Sequence, residues 1–356
     1  SFFDSDNFFD LFYNRNQGTY LYGGTEMNIY DIAAEAGVSI STVSRVMNHK
    51  GNVNPEMKKR IEEVLKKYDY KPSAIARGMV SKTMKTVAVL VTDIRIPQFA
   101  SQVYAVEQEF SREGYNVMVC NTGENIENCD KYINTLSQKQ VDGIVTIGSV
   151  FSRLAEYPEI TSKMRWSPVV MANGEIDLPN FYSVLLNEQE GLRAGIRLLY
   201  GKGKKKICLL CDLETNLGAR MKESFLKILK DLKIDGKEEQ VISCKNGMEE
   251  GAWAVRLLME NGCSFDGLIF GGEITAIGGM KELRKAGLRI PEDVSVIGWG
   301  DSISALTCQP ELTTVDMKAE QMGILCVRIL HGLLQNQEPQ APVIIEPEII
   351  LRGSTG

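Results

Sequence analysis

Between Ile29 and Met47 the chain reads IYDIAAEAGVSISTVSRVM, two short helical patterns parted by one glycine. Ile29, Ile32, Ala33 and Ala36 recur at i, i+3, i+4 and i+7, which puts them on one face of a first helix. Gly37 ends it, because glycine reaches the left-handed conformation of a helix C-terminus without a Cβ penalty. Ser39 is placed to N-cap a second helix whose apolar face is Val43, Val46 and Met47. The opposite face, Ser41, Ser44, Arg45 and Asn48, is polar. Ala33 is small enough for two helices to cross closely and Val43 fills the angle between them. The spacing therefore predicts a helix-turn-helix, with the second helix as a major-groove reader. A plain helical hairpin packed for structure alone fits the periodicity as well.

After this motif come a loop, Asn48 to Asn54, and NPEMKKRIEEVLKKYDY. Asn54 predicts an N-cap with Pro55 in the first turn, and Ile61, Val64, Leu65 and Tyr68 form an apolar stripe. This third helix closes a small head. KPSAIARGMVSKTMKT follows, too poor in large apolar residues for a core of its own, and reads as a linker or a segment that folds on binding. On the other side, residues 1–26 hold eight aromatic residues without helical or strand periodicity and read as a disordered extension before a native start at Met27.

From Thr86 the period changes. VAVLVTD, NVMVCN, DGIVTIG, PVVMAN, YSVLLN, KKICLLCD, DGLIFGG and VSVIGWG are continuous apolar runs, most of them separated by helical patterns. Such alternation indicates parallel sheets covered on both faces, and about eight units exceed one comfortable core, so two α/β lobes are expected. Ligands in these folds bind beyond the carboxyl ends of strands.

Composition narrows the function. With 356 residues, 44% hydrophobic and 24% charged, the chain is an ordinary globular one. No run approaches the ~20 apolar residues of a membrane helix and no secretion signal is apparent, so a cytoplasmic protein is expected. Residues 27–85 carry 11 Lys and Arg against 6 Asp and Glu, whereas residues 86–356 carry 28 against 36. A basic head on an acidic body suits a polyanion-binding head. The eight cysteines run from Cys120 to Cys326, and Cys208 and Cys211 form a CxxC inside an apolar run with no histidine near, so reduced thiols are expected and zinc is not. His49 and His331 are too few for a metal cluster or a catalytic triad. GKGKKK at 201–206 lacks phosphate-loop spacing and reads as a turn, and GGEITAIGG at 271–279 does not match a dinucleotide fingerprint. No enzyme and no cofactor is expected.

Head, linker and two-lobed body in this order resemble the LacI/GalR family of bacterial transcription regulators. The resemblance covers Asn28 to about Gly353 and rests on IYDIAAEAGVSISTVSRVMN, YKPSAIARGM, VDGIV, IPEDVSVIGWGD and PELTTV. It implies a three-helix helix-turn-helix head (27–72), a hinge (73–85), and an α/β body of two periplasmic-binding-protein-like lobes with parallel sheets. The lobes would span 86–186 with 318–343, and 187–317 with 344–356.

The resemblance also implies partners and residue roles. Ile40, Ser41 and Arg45 would meet base edges of an operator duplex, with Arg45 able to donate two hydrogen bonds to guanine. Tyr30, Ser39, Thr42, Ser44, Asn48, Asn52 and Tyr70 would hold the phosphate backbone. Ser73, Ala76, Arg77 and Met79 would enter the minor groove in the hinge, with Met79 in the place of a wedging leucine. For a small-molecule effector the matching positions are Asp93, Phe99, Asn173, Arg220, Glu273, Trp299 and Asp301. Here the sequence departs from its family: Gly272 replaces an asparagine, Gly300 an aspartate, Met317 a polar residue, and Ile96-Pro97-Gln98-Phe99 stands for Asn-Pro-Phe-Phe. A cleft short of polar ligands is expected, hence an effector other than a typical hexose, or a protein co-regulator. No heptad tail follows the last strand, so a homodimer on a pseudo-palindromic operator is expected. The alternatives are a periplasmic-type binding protein without a DNA role and an enzyme on an α/β scaffold.

Overall fold

A computed structural model describes residues 28–47, 53–70, 83–234, 238–338 and 342–356, together with backbone at 13–14 and 19–20, where β1 (Tyr13–Asn14) pairs antiparallel with β2 (Thr19–Tyr20). The hinge residues Ser73, Ala76, Arg77 and Met79, and Asn48 and Asn52, lie outside these residues. The chain divides into two units, Ser1–Met84 and Lys85–Gly356.

In the first unit three helices form as the periodicity predicts: α1 (Ile29–Ala36), α2 (Ile40–Met47) and α3 (Pro55–Lys67). Asn28 caps α1 by accepting from the Tyr30 and Asp31 amides, while Asp31 accepts the Asn28 amide in return. Gly37 takes φ +64° and closes the helix. Asn54 caps α3 and Pro55 occupies its first turn. Ile32, Ala33, Ala36, Val43, Val46, Ile61 and Val64 are buried together, and each large side chain contributes about 1.5–3 kcal/mol by leaving water. The stripe of α3 is shorter than expected. Tyr68 is exposed with the Lys67 ammonium over its ring, and Tyr70 packs against the core in its place, because the helix ends before its fourth apolar residue can turn inward.

The second unit holds two sheets. In one, the order is β13 (Val343–Ile345), β7 (Phe181–Leu186), β6 (Val169–Ala172), β5 (Gly143–Ile147), β3 (Thr86–Val91) and β4 (Asn116–Asn121), all parallel. In the other, it is β14 (Glu348–Ile350), β12 (Thr313–Asp316), β11 (Ser295–Trp299), β10 (Gly267–Phe270), β8 (Ile207–Cys211) and β9 (Val241–Ser243), parallel except for β14. The apolar runs fall on strands of these sheets, and the central ones are buried on both faces as a parallel sheet requires, whereas β4 at the edge leaves Val119 exposed. Helices α4 (Pro97–Arg112), α5 (Glu127–Gln138), α6 (Pro158–Thr161), α7 (Glu188–Gly201), α8 (Asn216–Asp231), α9 (Met248–Glu260), α10 (Glu273–Lys285), α11 (Ile303–Thr307) and α12 (Ala319–Leu334) join them.

The chain passes between the sheets three times: after β7, after β12, and between Ile345 and Glu348. The last passage falls two residues beyond the 343/344 boundary read from sequence, because Val343–Ile345 pairs with Val184–Leu186. Two ties hold the passages together. Lys318 pairs with Asp316 at 3.0 Å and with Glu348, and Asn187 donates to Glu346 at 2.9 Å. No described helix is long and apolar enough to cross a membrane.

Candidate nucleic-acid interface and inter-lobe cavity

The outer face of α2 is built by its cap. The Ser39 hydroxyl accepts the Thr42 amide and lies 2.8 Å from the hydroxyls of Ser41 and Thr42, so the first turn is held by three linked side chains. Val43 and Val46 anchor the inner face. Ile40, Ser41 and Arg45 are left exposed on the outside, and Arg45 makes no hydrogen bond or ion pair among the described residues. An arginine that packing does not use keeps its planar set of donors free for a partner. Tyr30 is exposed at the start of α1, Ser39 beside the turn, and Thr42 and Ser44 are half-buried on α2. Tyr70 is half-buried against the core, which leaves less of it available than the motif suggests. Lys67 bonds Glu35 at 2.6 Å and holds that carboxyl below its usual range. The pair joins α3 to α1 but, fully exposed, adds little stability.

In the body, a cavity of about 370 Å³ opens between the two lobes. From the first lobe it is lined by Thr92, Ile96, Phe99, Glu124, Gly148, Ser149, Val150 and Arg153. The second lobe contributes Cys211, Asp212, the segment 214–218, Met221, Asn246 and Gly271. Most of these follow the carboxyl end of a strand: Thr92 after β3, Ser149 after β5, Asp212 after β8, Asn246 after β9 and Gly271 after β10.

Of the seven effector positions read from sequence, Phe99 lines this cavity and the other six stand elsewhere. Asp93 pairs with Arg95 at 2.7 Å, which holds its carboxyl low. Asn173 and Arg220 both turn to Glu188, the first donating at 3.0 Å and the second bonding both carboxylate oxygens. Arg220 and Glu188 border a separate surface cavity near α7. Trp299 is buried in the core against Gly191, and its indole nitrogen has no hydrogen-bond partner among the described residues. Asp301 pairs with Arg352 at 2.6 Å and accepts from Thr314 at 2.8 Å. Burial pushes its carboxyl up, but Arg352 and Thr314 outweigh that and hold it low.

Glu273 is buried at 1% exposure and accepts the Ser302 amide at 2.7 Å and the Ser302 hydroxyl. Its remaining donor comes from the other lobe: Gln98 Nε2 reaches Glu273 Oε2 at 3.4 Å. Gly300, at φ +100°, makes this possible, because a Cβ there would lie 1.8 Å from Gln98 Nε2.

The expected shortage of polar groups is not found. A Cβ on Gly272 would lie 2.5 Å from Asn246 Oδ1, so an amide from beyond β9 occupies the space beside residue 272. Gln98 likewise fills the corner left open by Gly300. The strand-end rule could have pointed to Thr92, Ser149, Asp212 and Asn246, but their own residue types carry no distinctive motif.

The eight cysteines are all free thiols, and burial pushes the Cys211 thiol up to about 12. Among the described residues no group of three or more His, Cys, Asp or Glu could hold a metal.

Residues 28–73 match the family described as bacterial regulatory proteins, lacI family, and residues 196–355 match a periplasmic binding protein-like domain. An HTH-type transcriptional regulator from Lachnoclostridium phytofermentans is 30% identical over 331 residues, 92% of this chain and 99% of that protein. The HTH-type transcriptional regulator RegA of Clostridium saccharobutylicum is 30% identical over 342 residues, with 92% and 99% covered. Among solved structures, the lac repressor dimer bound to operator and the anti-inducer ONPF superposes with a TM-score of 0.82 at 22% identity, over 93% of this chain and 99% of that one. At that identity the likeness is one of fold.

Proposed function

The chain belongs to the lacI family of bacterial regulatory proteins, and on that premise we propose that it is a cytoplasmic, dimeric transcriptional repressor. It binds a pseudo-palindromic operator through α2 and answers to a small molecule held between its lobes. The observation that carries this reading is the free Arg45 on a capped, exposed helix face whose other side is fully used in packing. Arg45 reads guanine, Ile40 gives apolar contact to a thymine methyl, and Ser41 completes the base-edge set. Tyr30, Ser39, Thr42 and Ser44 hold phosphates. The hinge roles of Ser73, Ala76, Arg77 and Met79 stand as the resemblance implies, with hinge folding as the switch.

Its curated relatives are named as regulators, which supports a protein that turns over no substrate. The inter-lobe cavity, not the six scattered positions, is the effector site of this reading. Selection from random duplexes tests it. The full chain should enrich a two-fold palindrome with half-sites about one helical turn apart, and binding should weaken steeply with salt. Recovery of no common sequence would remove the operator from the account.

A further inference from the structure

We propose that the ligand of the inter-lobe cavity is a small hydroxylated amine, held through its ammonium by Asp212 and Glu124. The proposal rests on the reading of that cavity as the effector site and adds the chemistry of the effector. Three carboxylates border the cavity, Glu124 from one lobe and Asp212 and Glu214 from the other. Glu214 is answered by Lys245 at 3.3 Å, and the Arg153 guanidinium by Glu156 at 3.6 Å. Glu124 and Asp212 have no salt bridge among the described residues. The lining thus keeps an excess of negative charge, which a protonated amine neutralises and an anionic sugar opposes.

The corner already attracts an ammonium of the protein's own. Lys245 is held charged first by its hydrogen bond to Glu214, with the fields of Asp212 and Glu124 adding to it. Carboxylates of both lobes therefore act on one point in space.

A second observation points to a bound molecule. Thr92 is 6% exposed and lines the cavity, yet its hydroxyl has no hydrogen-bond partner among the described residues. That hydroxyl is open to the cavity, where a hydroxyl on the ligand would pair with it in place of water. Ser149 and Asn246 offer further donors and acceptors, and Phe99 and Met221 an apolar wall. That mixture suits a ring carrying several hydroxyls and one ammonium.

The test is calorimetry and thermal shift on the full chain. The probes are glucosamine, galactosamine and mannosamine, compared with glucose, N-acetylglucosamine and glucose 6-phosphate, below the pKa of the amines. At least one hexosamine should bind and raise the melting temperature, with its neutral and anionic counterparts at least tenfold weaker. Asp212→Asn should lower hexosamine affinity about tenfold. Asn keeps an acceptor for the Glu214 amide that Asp212 now bonds at 3.0 Å, so the turn survives. Glu124→Gln, on an exposed side chain, repeats the test from the other lobe. A hexosamine bound equally well by both variants overturns the proposal, as does no response to any hexosamine. Tighter binding of glucose 6-phosphate that also changes operator affinity overturns the amine while leaving the effector site standing.

Discussion

Gly300→Ala tests whether the two lobes are latched through Gln98. The backbone at residue 300 has φ +100°, where an alanine costs about 1–3 kcal/mol. The new Cβ would also lie 1.8 Å from Nε2, 2.6 Å from Cδ and 3.0 Å from Cγ of Gln98. Gln98 can escape by changing rotamer, so the clash itself is not paid in full. What is lost is its bond to Glu273, long at 3.4 Å and worth about 0.5–1 kcal/mol. The total is about 1.5–4 kcal/mol. For a body of this size that lowers the melting temperature by roughly 3–16 °C. Gln98→Ala alone removes the same bond at about 0.5–1 kcal/mol. Because both variants lose one shared interaction, the double variant should be less destabilised than the sum by about 0.5–1 kcal/mol. Melting scans of the three variants and the parent measure this. Strict additivity, or a Gly300→Ala protein as stable as the parent, would refute the latch.

Other outcomes follow from the same packing. Ile61→Ala empties the centre of a head with few large core side chains, and a loss of about 2–5 kcal/mol should abolish operator binding while the body's melting transition stays in place. Arg352→Met strands a partly buried Asp301 carboxylate and should cost about 3 kcal/mol near neutral pH. In the parent the lowered Asp301 pKa gives stability that is present above its unfolded value and lost as pH falls through the folded one, so the gap between parent and variant should close below about pH 4, as read by denaturant titrations across pH. A thiol reagent should react first with half-buried Cys263, more slowly with half-buried Cys308 whose thiol burial raises, and with all eight only after denaturation, because burial raises or hides the rest.

The fold was legible where periodicity is strong. The head could be drawn from Ile32, Val43 and Ile61, since a helix that buries one face must repeat its apolar residues. The body could be drawn because parallel strands buried on both faces are continuous apolar runs. β9, β12, β13 and β14 escaped, each only three or four residues long and too short to leave a period. The cavity was less legible for a different reason. Its lining comes from segments far apart in sequence, and whether a polar residue faces the cavity depends on its neighbours. Arg220 and Asn173 carry the right groups, yet Glu188 draws both away. Gly300 reads in sequence as a missing carboxylate and in space as room for Gln98, a relation that only the juxtaposition of two lobes creates.

A salt series on Arg45→Ala asks whether α2 reads sequence through this side chain. Fluorescence anisotropy on a selected palindrome and on a scrambled duplex separates the two kinds of contact. The substitution should cost about 1–3 kcal/mol on the palindrome, relax the preference for guanine at one position per half-site, and leave binding to the scrambled duplex nearly unchanged. Undiminished affinity and unchanged base preference on the palindrome would contradict the account.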